Sequence, residues 1–375
     1  MEKITSVSAE LVPLASGQTV RATVTTEHGA QGIAEIPAGI TVGAGEAVLV
    51  DPAQAVTSIQ SIVAPALTGM DCLEQREVDV KLMEFDDSPD RHQLGVNALL
   101  PVSLAVARAG AAALERELYV HLADLAGTTP RLPTPIQVMI EGGKHAEGSP
   151  VSIQEFSIIG PVDAGEATLT KLESIAAARS LACAPGGEGG LVVGANTNAD
   201  AFELLVEAIQ GTDLRLALDV AASHAGATSE IEALLAAVPL ALVEDPVPES
   251  DLAAWQTFTR QYGQRFLVAA DDLTVGNPAR IKDAVKDSVA NCLVVKLNQT
   301  ATLSELFDLV ALVRVGNWQV VVSHRGHETT DSFVTDLAVG LGAEFLKAGT
   351  TRSPERKPKY DRLLAIANQL ARNEP

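Results

Sequence analysis

The sequence predicts an α/β protein: a (β/α)8 barrel over residues 129–375, preceded by an α+β domain over residues 1–128. Three observations carry this prediction. The first part runs from β-type segments into long helical patterns. A Pro-rich connection follows. Beyond it, short apolar runs recur about every 25 residues, each stopping at an ionisable side chain.

Within residues 1–128, "SVSAELVPL", "TVRATVTTE" and "AQGIAEIP" have β composition and are parted by the turn signals "ASGQ" and "EHGA". They predict a three-stranded meander. The Gly-spaced loop "PAGITVGAG" comes next. Residues 97–127, "NALLPVSLAVARAGAAALERELYVHLADLAG", are Ala- and Leu-rich, with Arg108, Glu115 and Arg116 as the main charges. Such apolar density predicts one helix, or two in succession, buried on most sides. "GTTPRLPTP", residues 127–135, breaks the pattern and marks the domain boundary.

In the second part "LRLALD", "LALVED", "FLVAAD", "LVVK", "VVVSH" and "EFLK" are each strand-length and too short for a buried helix. Helical segments such as "SEIEALLAAV" and "SELFDLVALVRV" lie between them, so the strands are predicted to be parallel. Two earlier candidates, near residues 155 and 191, bring the strand count to that of a closed barrel. The remaining length is close to the ~250 residues typical of that fold.

Active sites of such barrels sit at the C-terminal strand ends. Here those ends carry Asp219, Glu244, Asp271, Lys296, His324 and Lys347 in turn. Three crowded carboxylates repel one another, and burial makes each charge costlier. A hard cation relieves both, and all-oxygen ligation suits magnesium. Asp245 and Asp272 stand beside two of these residues, and spacing alone does not choose between neighbours. Lys296, His324, Arg325 and Lys347 form the opposite, cationic arc. That polarity suits an anionic substrate whose charge grows during reaction. A lysine among metals and other cations is expected to have a lowered pKa and to act as a base. An arginine at the rim can grip a phosphate or carboxylate through two parallel bonds.

Composition narrows the function further. The chain has 27 basic and 48 acidic residues, a formal charge of −21, and no Lys/Arg cluster. That argues against a nucleic-acid backbone or an anionic membrane as partner. Three cysteines, Cys72, Cys183 and Cys292, give neither a disulfide framework nor a zinc spacing. "MEKITSVSAELVPL" has no apolar signal core, and no uninterrupted apolar run approaches the ~20 residues of a membrane span. The expectation is a reduced, cytoplasmic protein without a membrane span.

The motifs "GGKHAEGSPVSIQEF", "GGEGG", "LALDVAAS", "LVEDPVPESDLAAW", "VAADDLTVGNPARI", "VVKLNQTATLSE", "VVSHRGHETTDSFVTDLAVGLGAEFLKAG" and "RSPERKPKYDRLL" resemble those of the enolase (phosphopyruvate hydratase) family. "LGVNALLPVSLAVARAGAA" and "LYVHLADLAG" extend the resemblance into the first domain. It covers roughly residues 94–365. It implies a TIM-type barrel and a cytoplasmic, magnesium-dependent glycolytic lyase that dehydrates 2-phospho-D-glycerate to phosphoenolpyruvate. Two magnesium ions per site are implied, the second arriving with the substrate. By the same resemblance Asp219, Glu244 and Asp271 hold metal, and Thr41 in "PAGITVG" binds the second ion. Lys296 is the base at carbon 2. Glu188 is the acid, with Glu155 beside it. His145 and His324 line the substrate site. Arg325 holds the phosphate and Lys347 the carboxylate. A homodimer or higher homo-oligomer is also implied.

The chain departs from the family pattern at several points. "GDEGG" is here "GGEGG", with Gly187 for the aspartate; "SHRSGE" is "SHRGHE", with Gly326 at the phosphate-binding position where the family has a serine hydroxyl. "SRGNPTVEV" is reduced to "ASGQTVRATV", and the segment between Asp219 and Glu244 is short. Two alternatives follow: a relative acting on another 2-phospho-acid, or a catalytically silent binding or structural protein.

Overall fold

The computed structural model describes residues 1–15, 17–39, 45–225, 234 and 240–373. Strands β1 (Ile4–Leu14), β2 (Gly17–Thr26) and β3 (Gln31–Glu35) form the antiparallel meander. Alternation along β2 buries Val20, Ala22 and Val24 on one face. That face packs on the helix Val96–Ala113, whose small residues let the sheet come close. A Cβ at Gly32 would lie 1.9 Å from the Ala105 carbonyl oxygen, so only glycine fits there. The apolar 97–127 stretch is two helices, Val96–Ala113 and Leu118–Ala126, the second closed by Gly127 at φ 66°. The first is long and apolar enough to cross a membrane, but 83% of it is buried inside the fold.

The barrel wall consists of β4 (Thr134–Glu141), β5 (Glu155–Ile159), β8 (Arg215–Asp219), β9 (Leu240–Glu244), β10 (Leu267–Ala270), β11 (Cys292–Lys296), β12 (Gln319–Ser323) and β13 (Phe345–Lys347). The last strand pairs with the first and closes the sheet. Between β5 and β8, β6 (Cys183–Pro185) and β7 (Leu191–Val193) form a small hairpin that meets β4 only at Ile140–Leu191.

Two details differ from the sequence expectation. The strand near residue 191 lies outside the wall, and its place is taken by β4, which begins inside the Pro-rich connection. In addition, β5 runs antiparallel to both neighbours. The physical reason is the link: residues 142–154 hold only a short 3-10 turn and no crossover helix, so the chain returns antiparallel.

Two-residue periodicity sorts the wall. Ala217, Leu242, Ala269, Val294, Val321 and Phe345 fill the barrel interior with Cys292, Ile136 and Ile159. Their neighbours Leu218, Val243, Val268, Ala270, Val295 and Leu346 join the larger core under the helices. Two residues beyond these interior positions stand Asp219, Glu244, Asp271, Lys296, Ser323 and Lys347. The pleat therefore aims all six into the same mouth.

The first domain docks on that mouth. Ala38 and His327 exchange backbone hydrogen bonds at 2.9 Å. Arg108 grips Asp331 through two bonds of 2.7 and 2.5 Å.

Candidate active site

Glu141, Glu155, Asp219 and Glu244 are successive cross-strand partners on β4, β5, β8 and β9. Because β5 is reversed, its first residue, Glu155, reaches the rim that the other strands reach with their last. A narrow cavity there is lined by Gly39, His145, Gln154, Glu155, Glu188, Asp219, Lys296, Ser323, His324, Arg325, Gly326 and Lys347.

Lys347 stands at the centre of one half. Its buried Nζ lies 2.9 Å from Glu155 Oε2, 3.0 Å from Asp219 Oδ2 and 2.8 Å from Glu244 Oε2. Burial disfavours its charge, but Asp219, Glu155 and Glu244 outweigh that and hold its pKa well above the ordinary lysine value. Lys296 Nζ pairs with Asp271 Oδ2, while Gln299 Nε2 donates to Asp271 Oδ1 at 3.3 Å. The lowered lysine pKa expected from sequence is not what this arrangement gives. Burial and Arg325 pull Lys296 down, but Asp271 and Glu244 win and leave it raised. Conversely, Lys296 overrides burial at Asp271 and holds that carboxyl below its usual value.

Four carboxylates thus share two ammonium groups, and the excess negative charge shows in the titration of the others. Burial, then Asp219, pushes Glu244 up to about 8. Burial likewise raises Glu155 well above the carboxylate range. Oxygens of Glu244, Asp245 and Asp271 lie within 4.8 Å of one another. Glu244 Oε1 is buried without a hydrogen-bond partner among the described residues. An all-oxygen donor set, excess negative charge and an unsatisfied buried oxygen together fit a hard divalent cation.

That cluster holds Asp245 where the sequence expectation had Asp219, whose carboxylate pairs with Lys347 instead; Asp245 also braces the next loop. Asp245, at φ 44°, accepts the backbone N–H groups of Asp271 and Asp272 at 3.1 and 2.8 Å, and so fixes the start of the next loop. Asp272 lies 3.5 Å from His224 Nε2.

The other half of the cavity holds Glu188. Its Oε2 is 3.4 Å from His324 Nε2, and its carboxyl lies with His145 and Glu155 within one 4.8 Å cluster. His145 Nδ1 is 3.7 Å from Glu155 Oε1. Burial would raise Glu188, but His324 when charged, then His145, Arg356 and Lys347, hold it below the usual carboxylate range. Burial first, and Arg356 in support, keeps the His324 pKa well below its ordinary value.

Three contributors were not singled out from sequence. Arg356, buried, donates Nε–H to His324 Nδ1 at 3.1 Å and NH2 to the Gly326 carbonyl at 3.0 Å. It belongs to the "RSPERKPKY" motif, which carried no assigned role. Glu141 ends β4 as the other ionisable residues end theirs, so the same strand-end rule could have found it. Glu46 pairs with the buried Arg325 NH1 at 2.6 Å. No periodicity marks it; only its place just after the Gly-spaced loop does. Thr41 lies outside the described residues, while Gly39 before it lines the cavity.

Two family models match the chain. The one described as "Enolase, N-terminal domain" covers residues 4–122. The one described as "Enolase, C-terminal TIM barrel domain" covers residues 129–230 and 224–375. With the closed barrel and the rim of paired carboxylates and lysines already in place, these matches over nearly the whole length show that the chain belongs to the enolase family.

Proposed function

We propose that the protein dehydrates 2-phospho-D-glycerate to phosphoenolpyruvate as a hydro-lyase. The observation that carries this reading is the opposition, across one narrow cavity, of Lys296 and the acidic pair Glu188 and Glu155. Base and acid on opposite sides of a substrate suit removal of a proton from carbon 2 and of a hydroxyl from carbon 3.

Lys296, as the neutral amine, takes the carbon-2 proton on Nζ. The electron pair moves toward the substrate carboxylate, which Lys347 faces with a positive charge. The hydroxyl leaves carbon 3 as water, with a proton drawn from the Glu155–Glu188 pair, and the carbon 2–carbon 3 double bond forms. In the ligand-free site Glu155 is the member that favours the proton, and Glu188 is its lowered neighbour. Asp219, Glu244 and Asp271 would hold magnesium, which supplies counter-charge for the doubly negative carboxylate and relieves the lysines of their carboxylate partners. A second ion, with Thr41 as a ligand, belongs to the same reading. His145 and His324 line the substrate, and Arg325 meets its phosphate.

A related reading has two specific observations in its favour. Gly326 offers no hydroxyl beside Arg325, and Arg325 already faces Glu46. Both features support a 2-phospho-acid other than 2-phosphoglycerate.

The test is exchange of the carbon-2 proton with deuterated water, followed by NMR, alongside the rise of enol-pyruvate absorbance. Wild type with magnesium is expected to show both. Lys296→Ala should lose exchange by about 10²–10⁴-fold. Exchange that survives in Lys296→Ala sinks the assignment of the base.

A further inference from the structure

Under the "GGEGG" turn lies a carboxyl that the proposed reaction does not use. Glu141 is buried at the end of β4. Its Oε1 accepts two backbone N–H groups at 2.9 Å, those of Glu188 and Gly190. The turn is shaped around it. A Cβ at Gly186 would fall 2.3 Å from the Glu141 carboxyl carbon, and one at Gly190 would fall 3.1 Å from Oε1. On its far side the turn is closed by Thr350, whose N–H donates to the Glu188 carbonyl at 3.1 Å and whose hydroxyl donates to the Gly189 carbonyl at 2.8 Å. The peptides on either side of Glu188 are thus held by hydrogen bonds, its N–H by Glu141 and its carbonyl by Thr350, and Gly189 beside it takes the left-handed φ of 87° that favours glycine.

We propose that Glu141 is a positioning residue: its buried carboxylate holds the main chain at residues 188 and 190 and so aims the Glu188 carboxyl into the cavity. The charged groups that face it are Glu188 and Arg356. Burial, then the like charge of Glu188, pushes Glu141 up to about 7. Its Oε2 has no hydrogen-bond partner among the described residues, so the side chain can take up a proton there. Protonation weakens the acceptor and slackens the turn, since hydrogen bonds to an ionised acceptor are roughly twice as strong as neutral ones.

This rests on the Glu188 role proposed above only for its kinetic arm, so two readouts are needed. In the first, without ligand, the amide signals of residues 188 and 190 are followed by NMR as pH varies. In wild type they are expected to titrate with a midpoint near 7, the value to which burial and then Glu188 push the Glu141 carboxyl. The titration should vanish in Glu141→Gln, whose amide oxygen still accepts both bonds. In Glu141→Ala the two amides should exchange rapidly with solvent. In the second, with 2-phosphoglycerate and magnesium, Glu141→Ala should lose about 10²-fold in kcat with KM little changed. Glu141→Gln should restore most of it and lose the limb near neutral pH.

Amides at 188 and 190 that ignore pH in wild type overturn the proposal. So does an Ala variant with wild-type kcat. If wild type itself turns over no 2-phosphoglycerate, the functional reading has failed, and the amide measurements alone then support or overturn the role of Glu141. If Glu141→Ala does not fold, Glu141→Gln decides.

Discussion

Arg356 donates its Nε hydrogen to Nδ1 of His324 at 3.1 Å. Arginine has no acceptor to offer, so this contact assigns Nδ1 as the lone-pair nitrogen. The remaining ring proton then sits on Nε2, which faces Glu188 at 3.4 Å. One guanidinium therefore fixes the imidazole tautomer and the direction of its N–H. The same guanidinium reaches the carbonyls of Gly187 and Gly326, tying together the two turns in which the chain departs from the family pattern.

Arg356→Met should free that tautomer. Nitrogen-15 NMR of His324 is expected to change from a pure Nε2–H form to a mixture, and the His324 pKa to rise, because a nearby positive charge that opposes protonation is gone. Activity should fall by up to about 10²-fold, as when a group that positions a substrate is displaced by about 1 Å. An unchanged tautomer would show that Arg356 does not set it.

Magnesium should bind more tightly as pH rises. Glu244 must lose its proton to become a ligand, and burial holds it at about 8, above its ordinary value of 4.5. The sign follows: in the metal-free fold Glu244 favours the proton, so its stability contribution is present below pH 4.5 and is lost as pH rises through about 8. A cation that needs the ionised form therefore stabilises most at the high end of that window. The shift in Tm caused by a fixed magnesium concentration is expected to grow from pH 6 to 8 by scanning calorimetry, and to collapse in Glu244→Gln. A pH-independent shift would mean that Glu244 is not a ligand.

Gly187 and Glu141 should be energetically coupled. A Cβ at Gly187 would lie 3.9 Å from Glu141 Oε2, with nothing else within 4 Å, so Gly187→Asp is sterically admitted but sets two carboxylates side by side. Gly187→Asp alone is expected to destabilise by about 1–3 kcal/mol in urea. With Glu141→Gln added, which removes the second charge and keeps both backbone bonds, most of that loss should return, a coupling of about 0.5–3 kcal/mol in a double-mutant cycle. Additive effects would separate the two positions.

Arg108→Ala removes one partner of a half-buried interdomain ion pair with Asp331. The loss is expected to be about 1–3 kcal/mol of unfolding free energy. Since Asp331 also accepts the Glu35 N–H at 2.9 Å, the seam between meander and barrel should open first. Hydrogen exchange at residues 33–38 should therefore rise before exchange in β8–β12. A uniform rise would argue against a separate docking step.

The barrel was legible because its strands are short apolar runs cut by ionisable ends. Interior positions such as Val294 and Phe345, two residues before Lys296 and Lys347, announce the pleat directly. The 97–127 stretch was legible from its apolar density as one buried helix or two in succession, but not the place of the break at residues 114–117, where Glu115 takes φ 50°. What escaped was β4 as a wall strand, because its start lies in a Pro-rich connection, and the reversal of β5, because strand direction leaves no mark on alternation. Glu46 escaped because its partner Arg325 is far along the chain.

By itself the sequence determined the fold class, the strand-end chemistry and the set of carboxylates and cations that the pleat aims at one rim, since period-two alternation is a local property. Only the tertiary structure decided which carboxylate meets which cation, Lys347 with Glu155, Asp219 and Glu244, Lys296 with Asp271, and Arg325 with Glu46, and which guanidinium meets the His324 imidazole, that of Arg356. Those pairings, and the titration they impose, depend on distances of a few ångströms between residues far apart in the chain, which only closure of the barrel and docking of the first domain bring about.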